Sequence, residues 1–313
     1  MTPESHRLQA VAQHQYGAIS RDQVRRLGGD DNWIRTQLAA QRWVRIHPGV
    51  YLSFTGEPSW SATAFAGLLY AGKGAALSHR SAGYSLGMIN RAPRPIEVSV
   101  PHHRQPAPQP GMVIRRRRVM PMCFGRIPAT NAADTLIDIA ATSGDVDEVV
   151  RLAREALRHV HIAYVRKVLE DRQRLRHRSL LTEILGAVEA GIESPLEYRY
   201  RRDVERRHRL PRSVLQVRQL LDGLWIRADS LYRGRGVRVE LDGQVAHPGG
   251  RTDSDVWRDN AALVATSDLT LRYRWAHVAG NPCATARQVA QALQSRGWRG
   301  RPTPCGPRCA VGR

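Results

Sequence analysis

The stretch that decides the fold is residues 225–243, WIRADSLYRGRGVRVELDG. It contains two runs of alternating apolar and polar residues, separated by the four residues 233–236, which is a loop of hairpin length. If Tyr232 and Val237 flank this loop as partners, the register of both strands is set. The pattern therefore predicts an antiparallel hairpin.

Three acidic side chains come together in this hairpin. Counting back along both strands places Asp229 opposite Glu240, and strand alternation points Glu240 and Asp242 to one face. Like charges across a strand pair destabilise a sheet unless a cation or a proton neutralises them. The three carboxylates therefore predict a site for Mg²⁺ or Mn²⁺, which can activate water against a phosphodiester. The alternative is an acidic strand face neutralised by Arg227, Arg235 and Arg238 without a metal.

Helices and one more strand are predicted around the hairpin. Glu193 and Glu197 lie four residues apart, the latter on a helix predicted over residues 195–207, and His247 follows the second strand. A helix is expected near residues 256–264, and residues 269–275 alternate as a strand. This order predicts the α/β class, with a mixed sheet flanked by helices. Arg258, Arg272 and Arg274 would be available to phosphates.

The runs ESPLE (193–197), VELDG (239–243), WRDNAAL (257–263) and LTLRYRW (269–275), with Asp229 and His247, resemble a family related to very-short-patch-repair endonucleases. That family has the PD-(D/E)xK restriction-endonuclease-like fold, and the resemblance covers residues 190–295. It implies that Glu197 is the helix glutamate, Asp229 the metal-binding aspartate, Glu240 the second acid and His247 the downstream histidine.

The chain departs from the pattern of this superfamily at one position. Asp242 stands where the superfamily keeps a lysine that orients water or stabilises developing charge. His247 or an arginine must replace that lysine, or the domain binds without cleaving.

The N-terminal residues predict a winged helix. Ser20 and Gln23 have capping-box spacing, and Asp30 or Asp31 caps a third helix. Ile34 on this third helix faces the core, and a hairpin over residues 43–52 forms the wing. The predicted DNA-contacting residues of the third helix are Arg35, Gln37 and Arg42.

The stretch GAISRDQVRRLGGDDNWIRTQLAAQRWVRIHPGVYL (17–52) resembles the winged-helix domain of AbiEi-type antitoxins, which repress their own operon in a toxin–antitoxin pair. Weaker similarity continues in ALSHRSAGYSLGMI (76–89) and IPATNAADTLIDIA (127–140). The resemblance implies double-stranded DNA and a cognate toxin protein as partners.

We therefore predict a winged-helix domain (1–57), an antitoxin-like middle domain (58–140), a helical connector (141–190), an endonuclease-like domain (191–296) and a disordered tail (297–313). The tail holds Cys305 and Cys309 without a nearby histidine in sequence, so a zinc site there would lack two ligands. The role of the arginine run at residues 115–118 stays open.

Composition narrows the function classes. The formal net charge is +20, from 48 Lys and Arg against 28 Asp and Glu, which favours a nucleic-acid partner. No apolar run is long enough to span a membrane and the cysteines are scattered, so a cytoplasmic protein is expected. Three hypotheses follow: a metal-dependent DNA endonuclease, a non-catalytic autorepressor of the antitoxin kind and, ranked lowest because no stacking-aromatic motif supports it, an RNA-binding protein.

Overall fold

The computed structural model describes residues 5–221, 223–242, 257, 260 and 263–312. The chain divides into two compact units. The first comprises residues 1–144 and 155–178, and the second comprises residues 145–154 and 179–313. No helix of the described residues is long and apolar enough to cross a membrane.

The first unit begins with the predicted winged helix. Its three-stranded sheet has the order β1-β3-β2. The elements are α1 (Ser5–His14), β1 (Ala18–Ser20), α2 (Arg21–Arg26), α3 (Asp31–Ala39), β2 (Val44–His47) and β3 (Val50–Leu52). The three helices and the wing hairpin are confirmed, whereas strand β1 was not predicted. β1 is only three residues long, too short to show a period in the sequence.

Local caps fix where the helices of the winged helix begin. Ser20 and Gln23 form a reciprocal capping box at α2. Asp30 caps α3 through the main-chain nitrogen of Trp33 at 2.8 Å. Ile34 is buried on the inner side of α3, as its spacing predicted.

A five-stranded sheet and four helices complete the first unit. The strand order is β6-β5-β4-β8-β7. The elements that follow in the chain are α4 (Trp60–Ala71), β4 (Ala76–Leu77), α5 (His79–Ser85), β5 (Ile96–Pro101), β6 (Met112–Arg117), β7 (Cys123–Phe124), β8 (Ala129–Thr130), α6 (Ala132–Thr142), α7 (Val146–Ala156) and α8 (Ile162–Asp171). Of these, α7 belongs to the second unit up to Arg154. The predicted connector is therefore helical, and its residues are divided between the two units.

The arginine run alternates along β6. Arg115 Nη2 lies 3.2 Å from Glu97 Oε1, and Arg117 donates to Ser99 Oγ at 2.8 Å and to the carboxylate of Asp138. Every second residue of a strand points to the same face, so the intervening arginines are the exposed ones. Half of the run therefore neutralises acids inside the unit.

The second unit contains a four-stranded mixed sheet of order β12-β11-β10-β9. Its other elements are α9 (Arg178–Glu189), α10 (Pro195–Arg199), a π-helical continuation (Tyr200–Arg206), β9 (Val214–Leu221), β10 (Leu224–Tyr232), β11 (Val237–Asp242), β12 (Leu269–Arg274), a second π-helical segment (Ala276–Gly280), α11 (Pro282–Ser295) and a 3₁₀ turn (Ala310–Gly312). β9 to β11 are antiparallel neighbours, and β12 is parallel to β11. The predicted α/β class and the mixed sheet flanked by helices are confirmed, whereas β9 was not predicted.

Helices α10 and α11 cover one face of this sheet. Val237, Val239 and Leu241 of β11 are buried in one core cluster. α10 and its π-helical continuation contribute Leu196, Tyr200 and Val204 to the same cluster, and α11 contributes Val289 and Leu293. Because strand side chains alternate, Glu240 and Asp242 point to the opposite face.

The predicted disorder of the tail is wrong for residues 297–312. Trp298 and Val311 pack against the core cluster of the second unit, and Cys309 is buried. The main-chain nitrogen of Thr303 donates to the carbonyl oxygen of His208 at 2.8 Å. The few apolar residues of a Pro- and Gly-rich segment are enough to hold it when a core lies beside them.

The expectation that the tail cysteines have no further ligand partners is also wrong. Cys305 and Cys309 lie beside Cys283 of α11 and His208, with one ligand atom of each residue within 4.8 Å of the others. These partners are far away in sequence, so spacing could not reveal them.

Candidate metal and nucleic-acid site

The predicted register of the acidic hairpin is confirmed. Tyr232 pairs with Val237, and the antiparallel pairing continues to Ser230 with Val239. The described pairing ends there, so the predicted pair of Asp229 with Glu240 lies one residue beyond it and is an extension of this register.

Asp229 is anchored by the neighbouring strand. Its Oδ2 accepts a hydrogen bond from the main-chain nitrogen of Leu241 at 2.7 Å. Burial raises the pKa of Asp229, and the charges of Asp242 and Glu193 raise it further, against the lowering effects of the Leu241 bond and Arg227. The carboxylate is thus rigidly placed in an environment that opposes its negative charge.

Glu197 lies in the first turn of α10, where the hydroxyl of Ser194 caps the helix. The carboxylate is buried, and its Oε2 accepts hydrogen bonds from the main-chain nitrogen of Glu193 at 2.8 Å and from Gln216 Nε2 at 2.9 Å. Burial raises the pKa of Glu197, and the charge of Asp229 raises it too. Glu197 of α10 and Asp229 of β10 therefore belong to the same acidic region, in which the charge of Asp229 acts on Glu197.

Gln216 of β9 is a site residue that sequence reasoning missed. The β9–β10 register continues through the position opposite Asp229, which Gln216 occupies, and Gln216 has a positive φ of 51°. Its Oε1 is buried without a hydrogen-bond partner in the described part of the chain. The one available signal was a polar residue between the apolar Leu215 and Val217.

Glu240 and Asp242 are placed differently from Asp229. Glu240 is half-buried and pairs in register with Arg272 of the parallel strand β12. Asp242 is exposed at the end of β11, with its Oδ1 3.9 Å from Arg272 Nη1. Within the described residues, the oxygens of Asp229, Glu240 and Asp242 do not form a group lying entirely within 4.8 Å. The three predicted carboxylates share a sheet region, not one tight cluster.

The arginines of the metal-free alternative have other partners in the structure. Arg227 Nη1 lies 3.1 Å from Glu193 Oε2, and Arg235 donates to the carbonyl oxygen of Gly297. Arg238 is almost fully buried and contacts Gln219 and Asp268. Arg227 also acts on the site, because its charge lowers the pKa of Asp229.

The donor set of this region fits a hard divalent cation. Glu197 and Asp229 supply carboxylate oxygens, and Gln216 supplies a buried amide oxygen that has no hydrogen-bond partner among the described residues. Magnesium and manganese prefer such oxygen ligands. A cation here would relieve the repulsion that raises the pKa values of both acids.

Two predicted site residues, His247 and Arg258, lie outside the described residues. The predicted phosphate ligands Arg272 and Arg274 are adjacent in register to Glu240 and Asp242 respectively. These two arginines of β12 therefore lie next to the acidic residues of β11 in the same sheet.

The predicted DNA-contacting residues of the first unit lie on and just after α3. Arg35 and Arg42 are exposed, and their side chains have no hydrogen bond or ion pair with the residues that the structure describes. Gln37 is half-buried. Asp31, by contrast, is paired with Arg21 and Arg25, so those two arginines are already partly neutralised.

No protein-family model and no curated protein matches the chain. Among solved structures, the crystal structure of the RV2827C protein from Mycobacterium tuberculosis is similar to this chain, with a TM-score of 0.43 and 15% sequence identity. The match covers 58% of this chain and 76% of that chain. A similarity of this size assigns no function to the chain.

Proposed function

We propose that this protein binds double-stranded DNA and that its second unit hydrolyses DNA phosphodiester bonds with Mg²⁺ or Mn²⁺. The observation that carries the proposal is that Glu197 and Asp229 are carboxylates whose pKa values are raised by burial and by nearby negative charge, with the charge of Asp229 acting on Glu197. Acids with raised pKa values that come from separate elements of the fold are a feature of functional sites.

The residues that would hold the cation are Asp229, Glu240 and Glu197, with Gln216 as an additional oxygen ligand. Asp229 is fixed by the Leu241 nitrogen and Glu197 by the Glu193 nitrogen, so neither needs to reorganise. When bound, the cation would polarise the phosphate and lower the pKa of a water molecule. Asp242, exposed and beside Arg272, is assigned an auxiliary role at the edge of the site.

Arg272 is the residue we propose in place of the missing lysine. It pairs in register with Glu240 and approaches Asp242 at 3.9 Å, so its charge lies at the acidic region. A guanidinium can bind a phosphate oxygen with two parallel hydrogen bonds and keeps its charge at every physiological pH. Arg274 on the same strand would bind a flanking phosphate.

Cleavage of plasmid DNA tests the proposal. Supercoiled plasmid is incubated with the purified full chain in Mg²⁺ or Mn²⁺, alongside Asp229→Asn and the matched control Asp171→Asn, an exposed acid at the end of α8. We expect nicking by the wild type and the control, and loss of nicking in Asp229→Asn by at least about 100-fold. Absence of nicking by the wild type in both metals would reject the hydrolase.

A second function, a non-catalytic autorepressor, is favoured by a different observation. The exposed Arg35 and Arg42 have no partner among the described residues and flank the predicted recognition surface. In this proposal the winged helix occupies an operator, and a cognate toxin protein is a partner. Specific shift of the DNA upstream of the coding sequence, with no cleavage in either metal, would support this function over the first.

The cellular setting follows from the same proposals. A protein that acts on chromosomal or plasmid DNA works in the bacterial cytoplasm, and the net charge of +20 would raise its local concentration on DNA. Cell fractionation of a tagged chain would check this, with the protein expected in the cytoplasmic fraction.

A further inference from the structure

We propose that the second unit contains a structural zinc site formed by His208, Cys283, Cys305 and Cys309. This site is separate from the acidic residues of the proposed hydrolase and does not depend on cleavage. Four residues with zinc-binding side chains bring one ligand atom each into a group whose members all lie within 4.8 Å of one another. It is the one such group of three or more found among the described residues.

The distances agree with tetrahedral coordination. With Zn–S bonds of about 2.3 Å and Zn–N bonds of about 2.0 Å, neighbouring ligand atoms of a tetrahedral site lie roughly 3.5 to 3.8 Å apart. The Sγ atoms of Cys283 and Cys305 are 3.4 Å apart. Cys309 Sγ lies 3.8 Å from Nδ1 of His208, which places the imidazole ring beside the thiols. The cluster is therefore close to the required size before any metal is considered.

The cysteines are not explained by a disulfide. All four cysteines of the chain are free thiols. A disulfide bond is about 2.05 Å long, much shorter than the separation of Cys283 and Cys305. A disulfide between Cys283 and Cys305 would also not explain why Cys309 and His208 lie in the same group.

His208 supplies an independent indication of a missing ligand. Its side chain is fully buried, and Nδ1 lies 3.0 Å from the carbonyl oxygen of Thr303. A carbonyl oxygen only accepts, so Nδ1 carries the proton and the lone pair is on Nε2. Nε2 is buried and has no hydrogen-bond partner in the described part of the chain. A carbonyl that fixes the tautomer of a metal-binding histidine is a common second contact of zinc sites.

The ligand set favours zinc and a structural role. Three cysteines and one histidine form a soft, closed set that matches structural zinc sites, whereas Mg²⁺ requires oxygen ligands. With four protein ligands, no coordination position remains for water or substrate. Cys305 and Cys309 also have the short ligand spacing typical of such sites.

The site would tie together three segments that are distant in sequence. His208 follows the first π-helical segment, Cys283 lies in the first turn of α11, and the other two ligands lie in the C-terminal segment. That segment places Val311 against the core beneath the sheet. Metal binding would therefore stabilise the folded second unit and hold the C-terminal segment in place.

The test uses the wild-type full chain, purified without a polyhistidine tag. We expect one zinc ion per chain by elemental analysis, and Co²⁺ replacement should give the intense visible bands of tetrahedral cobalt with thiolate charge transfer. Alkylation followed by mass spectrometry adds an internal control. Cys283, Cys305 and Cys309 should be protected until a chelator is added, whereas the reactivity of Cys123 in the first unit should stay unchanged.

Variants complete the test. Cys309→Ser should lose zinc, whereas the matched Cys123→Ser should retain it. If Cys309→Ser does not fold, the wild-type metal content and alkylation pattern still decide the question. Absence of zinc from the wild type, cysteine reactivity that a chelator does not change, or a Cys283–Cys305 disulfide in the native protein would overturn the proposal. A chelator would remove zinc as well as magnesium, so the cleavage test depends on Asp229→Asn and not on chelation.

Discussion

The side-chain nitrogen of Gln216 donates a hydrogen bond to Glu197 Oε2 at 2.9 Å, and the other amide atom, Oε1, is buried without a partner among the described residues. One residue of β9 thus positions an acid of α10 and leaves an unused oxygen in the same site. An unpaired buried polar atom costs about 1–3 kcal/mol, so its persistence is explained if a ligand completes it.

The Gln216 arrangement leads to a prediction about metal affinity. Gln216→Met keeps the side-chain length but removes both polar atoms, so Mg²⁺ affinity should fall roughly 10-fold. Titrating Mg²⁺ while recording the melting temperature measures this. Gln294→Met, at an exposed position of α11, is the matched control and should leave the affinity unchanged. Equal affinity in both variants would remove Gln216 from the site.

Asp229→Asn should stabilise the metal-free protein. The pKa of Asp229 is raised in the folded state, chiefly by burial, so the ionised carboxylate opposes folding at any pH above its unfolded value. Asparagine retains an oxygen that accepts from the Leu241 nitrogen without the charge. The melting temperature at neutral pH should therefore rise.

Mg²⁺ should stabilise the wild type more than it stabilises Asp229→Asn. At about 100 times its dissociation constant, a specifically bound cation stabilises the wild type by about 2.7 kcal/mol. Asp229→Asn should gain much less, which thermal melts with and without Mg²⁺ would measure. A variant that gains as much as the wild type would show that Asp229 does not bind the cation.

The winged helix gives a prediction about salt dependence. If Arg35 and Arg42 each contact one phosphate, replacing both with alanine should reduce the slope of log affinity against log salt by roughly 1.8, about 0.9 per phosphate. Binding titrations at several salt concentrations measure the slope. Arg91→Ala, an exposed arginine of the loop between α5 and β5, is the control and should leave the slope unchanged. An unchanged slope in the double variant would place the DNA elsewhere.

Arg172→Met should destabilise the first unit strongly. Arg172 Nη1 lies 3.0 Å from Asp138 Oδ1, Nη2 contacts Asp134, and both aspartates are buried. Removing one partner of a buried ion pair leaves an uncompensated charge and costs about 3–5 kcal/mol. Arg158→Met removes an exposed pair with Glu155 and should cost at most about 1 kcal/mol. Urea unfolding compares the two, and similar losses would contradict the proposed importance of burial.

The buried His79 should make the folded protein less stable in mild acid. Burial, followed by the charges of nearby arginines, lowers the pKa of His79 to about 4, although Asp138 Oδ2 lies 3.8 Å from Nδ1. The charged groups around it are Arg115, Glu97, Arg117, Arg172 and Asp138. The folded pKa is below the unfolded value of about 6.5, so stability is complete above pH 6.5 and is lost as the pH falls towards 4.

The lowered pKa of His79 limits this loss of unfolding free energy to roughly 3 kcal/mol. His79→Asn cannot take up the proton and tolerates the positive φ of 50° at this position. The difference in unfolding free energy between wild type and variant should therefore vary between pH 6.5 and 4. His103→Asn, an exposed histidine, should behave as the wild type. A constant difference across this pH range would contradict a buried neutral His79.

The sequence by itself determined the features that depend on local periodicity and hairpin geometry. The alternation of residues 225–242 set the β10–β11 register, and the spacing of Ser20 and Gln23 set the start of α2. These signals are readable because strand alternation, loop length and capping involve residues a few positions apart.

Tertiary structure alone decided which distant residues meet. Gln216 contacts Glu197 only because the fold places β9 beside β10 and near α10. The sequence of β9 has little apolar–polar alternation, so the strand itself could not be predicted. His208 and Cys283 reach the C-terminal cysteines across 101 and 22 residues of sequence, respectively, as measured to Cys309 and Cys305. Spacing in sequence carries no information about such contacts, because chain folding and core packing bring these side chains together.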